Sequence, residues 1–240
     1  MVRVPIRVLG LSITPIKEGN CEKLVLEALK AAQDQGDVET EFITLADKKI
    51  NMCQHCQWCI EHRSFCRIDD DANSILERMA KADGIIFSSP TWNRNLCPLF
   101  GILISRSRSI NFFFQSFRNK VGGFITCGFL GFGLERALDI MIMSVYGHGI
   151  IPVAQAAVLS STVSFGQRPA YTKQGVLDDA RGMVFVRNVG IRVVEVARMI
   201  KFATEAGVKL PKPPSMSTGR RIREVQKIFI DGVWRGEEDL

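Results

Sequence analysis

IRVLGLSITPIKEGNCEKLVLEAL, residues Ile6–Leu29, is the stretch whose reading decides the fold. Ile6–Ser12 is apolar and β-branched, the pattern of a parallel strand buried on both faces. Ile13–Cys21 is a short polar loop containing Pro15 and Gly19. Leu24, Val25, Ala28 and Leu29 then recur at helical spacing. Strand, polar loop and helix N-terminus form a phosphate-binding layout, because backbone N–H groups and the positive helix end attract an anion. Ser12 and Thr14 can donate hydroxyl hydrogen bonds there, and Asn20 is expected to cap the helix. The same layout also serves as an ordinary strand–helix turn. The loop matches neither Gly-x-Gly-x-x-Gly nor a Walker loop, which counts against a Rossmann dinucleotide site and against an NTPase.

Working outward, the strand–helix alternation repeats. Val38–Leu45 alternates with charged residues and reads as a more peripheral second strand. Gly84–Ser88 reads as a third strand, running into the turn Ser89-Pro-Thr-Trp-Asn93. Lys120–Thr126 reads as a fourth, followed by the glycine-rich loop Cys127–Gly133. Gly149–Val153 reads as a fifth, with Pro152 suited to an edge. Helical patterns follow at Ile75–Met79, Leu99–Ile104, Leu134–Leu138 and Leu177–Ala203. The last has an apolar stripe through Val186, Val189, Val193, Ala197 and Ile200. Five strands alternating with helices predict an α/β, doubly wound five-stranded parallel sheet with helices on both faces. Ligands of such sheets bind at the carboxyl ends of the strands. The turn bearing Trp92 is therefore placed to hold a flat ring, unless Trp92 is a core or interface aromatic.

A second feature sits between the second and third strands. Cys53-Gln-His-Cys56-Gln-Trp-Cys59 spaces three thiols two residues apart, and Cys66 follows after six more. Core cysteines scatter along a chain, and disulfides between such near neighbours would be strained. Four thiolates meeting at one inorganic centre explain the spacing. Cys-x2-Cys-x2-Cys with a distal cysteine is a run of the kind that ligates an iron–sulfur cluster. A four-cysteine zinc site uses the same ligand atoms but usually splits them into two pairs. The remaining reading is a cysteine-rich loop that binds nothing. His55, Trp58 and His62 lie among these cysteines and read first as local packing. The following Asp69-Asp70-Asp71 reads as N-terminal charge for the next helix.

The totals agree with a folded globular protein. Of 240 residues, 46% are hydrophobic, enough for a sizeable core. The net charge of +6 permits acidic partners, but the basic residues are dispersed apart from Arg220-Arg221-Ile-Arg223, so no nucleic-acid surface is expected. Met1–Ser12 is too short and interrupted for a signal peptide, and clustered thiols point to a reducing compartment, the cytoplasm. Ile140–Gln167 lacks Asp, Glu, Lys and Arg, yet Gly147, Pro152, Gln155 and Ser160-Ser161-Thr162 interrupt it, so no membrane span is expected. From Leu210 the composition shifts. Pro211, Pro213 and Pro214 suggest a linker, and Ile228–Trp234 suggests a hairpin turning on Asp231-Gly232. The expected division is 1–206 for the main domain, with the cysteine loop 53–66, and 207–240 for a C-terminal extension.

Together these segments resemble the iron–sulfur flavoprotein branch of the NADPH-dependent FMN reductase superfamily. The resemblance spans Ile6 to Ala203 and implies a flavodoxin-like fold. It implies FMN held at its phosphate by Ser12, Thr14, Asn20 and Cys21. The isoalloxazine would lie along Pro90, Thr91, Trp92 and Asn93 and along Cys127, Gly128, Gly131 and Gly133. Cys53, Cys56, Cys59 and Cys66 would hold a [4Fe–4S] cluster. Two departures stand out. Thr14 stands near the place of an arginine frequent in the family, with Lys17 able to supply the charge, and Cys21 replaces a hydroxyl residue. The implied activity is electron transfer between cluster and flavin, with NAD(P)H as a candidate donor and a small molecule or a protein such as ferredoxin as partner. The alternatives are a cluster-free NAD(P)H-dependent FMN or quinone reductase and a zinc-stabilised binding module. A homo-dimer or homo-tetramer is expected, with Ile151–Gln167 and the C-terminal extension as interface candidates.

Overall fold

The computed structural model describes residues 5–160 and 175–209. Six strands and six α-helices follow in chain order: β1 Ile6–Ser12, α1 Asn20–Gln33, β2 Val38–Thr44, α2 Trp58–Glu61, α3 Ala72–Lys81, β3 Gly84–Trp92, β4 Asn95–Leu96, α4 Pro98–Ser105, β5 Val121–Gly128, α5 Leu134–Tyr146, β6 Ile151–Leu159 and α6 Ala180–Glu205. Five strands are parallel in the order β2-β1-β3-β5-β6, and two-residue β4 pairs antiparallel with the end of β3. The predicted doubly wound sheet is therefore present, with the short β4 hairpin added.

Alternate residues of the central strands feed two cores. Leu9, Leu11, Phe87 and Phe124 pack with Leu76, Phe100 and Met141 on one side of the sheet. Val8, Ile86 and Ile125 pack with Val25, Ala28, Val186 and Val193 on the other. Each fully buried aliphatic side chain contributes about 1.5–3 kcal/mol relative to exposure. Burial on both faces explains why β1 and β5 read as continuous apolar runs rather than alternating ones. The α6 stripe lies against α1, and Gly190 makes the crossing close: a Cβ there would sit 2.0 Å from the Ala28 carbonyl oxygen.

Several boundaries move. β3 runs past Ser88 to Trp92, because its last residues pair with β4 and with Cys127 of β5. The turn lies at Asn93–Arg94, both at positive φ (47° and 64°), the geometry of a two-residue type I′ hairpin. β6 is an edge strand, as Pro152 suggested. The β5–β6 register slips between Gly122 and Gly123, opposite Pro152 and Ala154, so the missing proline N–H falls at a bulge. The long helix starts at Ala180, where the Asp179 side chain accepts the Gly182 N–H. The expected hairpin Ile228–Trp234 lies outside the described residues. No helix among the described residues is long and apolar enough to cross a membrane.

Candidate functional site

The strand order reverses between β1 and β3, so their connections leave in opposite directions and open a crevice at the carboxyl edge of the sheet. Two buried hydroxyl side chains, Ser89 and Thr126, tie that edge together. Thr126 Oγ1 donates to the Ser89 carbonyl at 2.9 Å, and Ser89 Oγ donates to the Ile13 carbonyl at 3.1 Å. These bonds hold the ends of β5, β3 and β1 in one plane.

The first wall is the β1–α1 loop. Ser12 is fully buried, and its Oγ has no hydrogen-bond partner. An orphaned buried hydroxyl costs about 1–3 kcal/mol, so it marks a place where a polar ligand fits. The N-cap position of α1 is Gly19, with no side-chain cap. The expectation that Asn20 caps the helix is corrected. Asn20 is the first helical residue, and its Oδ1 accepts the Val176 N–H at 3.3 Å, tying the loop to the segment before α6. Thr14 is buried and its Oγ1 accepts the Ile16 N–H at 3.3 Å, whereas Lys17 is exposed. Cys21 lies beneath the loop with its Sγ 3.7 Å from Cys127 Sγ. This contact and burial raise the Cys21 thiol well above its ordinary pKa, so it stays neutral.

The second wall comprises the β3–β4 hairpin and the glycine-rich loop. Pro90 and Thr91 are half-buried, Trp92 is 41% exposed and Asn93 forms the hairpin turn. Thr91 Oγ1 reaches toward the Cys127 carbonyl at 3.5 Å. Gly128 ends β5, and a 3-10 turn covers Phe129–Gly131. Gly133 then starts α5 at φ 77°, and a Cβ there would lie 2.7 Å from the Arg94 backbone, so only glycine fits against the hairpin. The Arg94 guanidinium stacks over Phe132 at 5.0 Å. Trp92, Phe129 and Phe132 thus expose aromatic surface around the same edge. The arrangement can hold a flat ring against one wall and its phosphate on the other.

The sequence matches the model of the NADPH-dependent FMN reductase family over residues 6–164. The chain belongs to that family. An iron–sulfur flavoprotein of Methanocaldococcus jannaschii is 38% identical over 199 residues, covering 81% of this chain and 99% of that protein. An iron–sulfur flavoprotein of Archaeoglobus fulgidus is 31% identical over 193 residues, covering 79% and 96%. The chain therefore stands in the iron–sulfur flavoprotein branch of the family. A crystal structure of RosB with bound 8-demethyl-8-formylriboflavin-5′-phosphate shares the fold, with a TM-score of 0.65 at 17% identity over 89% of this chain and 92% of that one.

This family member carries its cysteine loop between β2 and α3. All four thiols are free; Cys56 is exposed, and Cys53, Cys59 and Cys66 are half-buried. They share one electrostatic neighbourhood. Burial raises the Cys59 thiol, charge on Cys66, Cys53 and Cys56 raises it further, and Arg108 opposes them. The expected convergence on one point is not found. Among the described residues no three His, Cys, Asp or Glu side chains are gathered to hold a single metal ion. Ionised thiols repel one another, so drawing four together requires the charge of a metal centre. The donor set itself, four unpaired thiols on one loop, fits an iron–sulfur cluster. Three residues of this loop, His55, Gln57 and Arg63, sit at positive φ. Trp58 stacks on His62 at 4.2 Å, which bears out the local-packing reading of these two.

What sequence reading missed is the base of this loop. The acidic triplet does more than supply charge to a helix. Asp71 exchanges hydrogen bonds with Lys49: Lys49 N–H to Asp71 Oδ2 at 2.7 Å, and Asp71 N–H to the Lys49 carbonyl at 3.0 Å. Asp70 accepts the Asn51 N–H at 2.8 Å and meets the buried Arg106 at 2.7 Å. Ser105 Oγ accepts the Cys53 N–H at 3.3 Å, and Asn73 Nδ2 donates to the Cys66 carbonyl at 2.8 Å. Three consecutive acids were a visible signal; their partners Lys49, Asn51 and Arg106 lay 22, 19 and 36 residues away in sequence.

Proposed function

We propose that the protein is an FMN-dependent oxidoreductase that passes electrons between a [4Fe–4S] cluster on Cys53, Cys56, Cys59 and Cys66 and a flavin at the carboxyl edge of the sheet. The observation that carries the flavin half is the orphaned Ser12 hydroxyl beneath the uncapped start of α1. Ser12, Thr14 and the first amides of α1 would take the phosphate, with Asn20 and Cys21 beneath it and Lys17 adding positive charge from solvent. Pro90, Thr91, Trp92 and Asn93 would lie along one side of the ring, and Cys127, Gly128, Gly131 and Gly133 along the other. Flavin accepts electrons in pairs and releases them singly, whereas a cluster moves one at a time. The chain's own part is to fix both groups and keep water from the ring. No side-chain acid or base is required.

The names of the curated relatives support the cluster half. The family match over two thirds of the chain supports a second reading, a cluster-free NAD(P)H-dependent FMN or quinone reductase. Partners would be small-molecule or protein electron carriers in a reducing cytoplasm, and a homo-oligomer is expected. Anaerobic isolation followed by iron, sulfide and flavin analysis separates the readings. Brown material with iron and FMN supports the first, yellow iron-free material supports the second, and colourless zinc-containing material supports a binding module. Cys59→Ala should lose iron and keep FMN; a variant with full iron would refute the ligand assignment.

A further inference from the structure

Arg106 follows α4 and is 3% exposed, with its side chain wholly buried. One of its nitrogens, Nη1, donates to Asp70 Oδ2 at 2.7 Å and to the Asn51 carbonyl at 2.8 Å. Nη2 donates to the Ile68 carbonyl at 3.3 Å. Asn51 precedes the first cysteine of the loop and Ile68 follows the last, so one guanidinium bolts both ends of the cysteine loop to the end of α4. The third donor is unused: Nε is buried and has no hydrogen-bond partner. A buried guanidinium N–H without an acceptor is costly, and native proteins rarely leave one. Cys66 stands two residues before Ile68, whose carbonyl this guanidinium holds, and its own carbonyl is fixed by Asn73 Nδ2 at 2.8 Å, so its thiol is anchored at the same base.

We propose that Arg106 is a positioning residue for the cluster: its Nε–H is the donor reserved for the Cys66 sulfur once that sulfur is a metal-bound thiolate. The inference rests on the cluster reading above. Hydrogen bonds to ligand sulfur stabilise the more negative, reduced cluster and raise its reduction potential. Asp70 balances the guanidinium charge, so its effect at Cys66 is directional rather than that of a free cation.

The intact chain, reconstituted anaerobically with ferrous iron and sulfide, is compared with Arg106→Lys, which keeps the charge and loses the fork. The midpoint potential is read by electron paramagnetic resonance during a reductive titration. Arg106→Lys is expected to assemble a cluster whose reduced-to-oxidised ratio at a fixed poise falls about tenfold, equivalent to about 59 mV for one electron. An iron-loaded variant with an unchanged potential overturns the inference and leaves the cluster reading intact. Iron-free wild-type protein ends both. Should Arg106→Lys hold no iron, hydrogen exchange of residues 49–71 in the metal-free chains decides. Wild-type protection supports the bond to Cys66, and lost protection reduces Arg106 to a structural bolt.

Discussion

Asp70 and Arg106 form an ion pair with both side chains fully buried, 2.7 Å from Oδ2 to Nη1, at the closed base of a solvent-facing cysteine loop. Burial alone would raise the Asp70 carboxyl. The bond from Arg106 and the N–H groups of Asn51 and Ala72 outweigh it and hold the carboxyl below its ordinary pKa. Asp70→Ala would strand the guanidinium, and removing one partner of a buried pair costs about 3–5 kcal/mol. A urea midpoint within error of wild type would remove this pair from the fold's supports. The sign of the pH effect follows from the lowered carboxyl: its stabilisation is complete above the unfolded-state pKa of about 3.9 and is lost as pH falls through the lower folded value.

His148 gives a pH response in a different window. It is half-buried just beyond α5, with Nε2 2.7 Å from Ser107 Oγ and Nδ1 3.0 Å from the Ser144 carbonyl. Burial lowers its pKa, opposed by the Ser144 bond. The unfolded chain therefore takes up the proton first. Stability is complete above about pH 6.5 and falls below it, by at most about 1.4 kcal/mol per pH unit for one group. Denaturant midpoints at pH 7.5 and 5.5 should differ more for wild type than for His148→Gln; equal differences would exclude His148 as the source.

Gly133 is held at φ 77° with the Arg94 backbone 2.7 Å from where a Cβ would stand. Gly133→Ala must strain the backbone or push the hairpin outward, at about 1–3 kcal/mol. Because the hairpin carries Trp92 and Asn93, FMN affinity should fall along with thermal stability. Loss of stability with unchanged flavin affinity would separate the hairpin from the flavin site.

Trp92 is 41% exposed, so its removal should leave the fold unharmed. If it walls the isoalloxazine, Trp92→Ala loses about 0.5–1.5 kcal/mol of ring contact, or roughly two- to tenfold in FMN dissociation constant. Fluorescence titration of the flavin-free protein reads this directly. An unchanged constant would return Trp92 to the role of a surface aromatic.

Ile6–Leu29 by itself determined the architecture, because a strand buried on both faces can only be continuously apolar and a helix covering it must show a stripe. The spacing of Cys53, Cys56, Cys59 and Cys66 was likewise sufficient to single out the loop. Local chemistry was legible wherever the residues that matter are neighbours in sequence. Tertiary structure alone decided that Asn20 answers to Val176, that Trp92 ends a strand rather than a turn, and that Asp70 is sealed by Arg106. In each case the partner is recruited by packing from another element. A polar side chain in sequence shows only what it could donate or accept; burial determines which single partner must satisfy it.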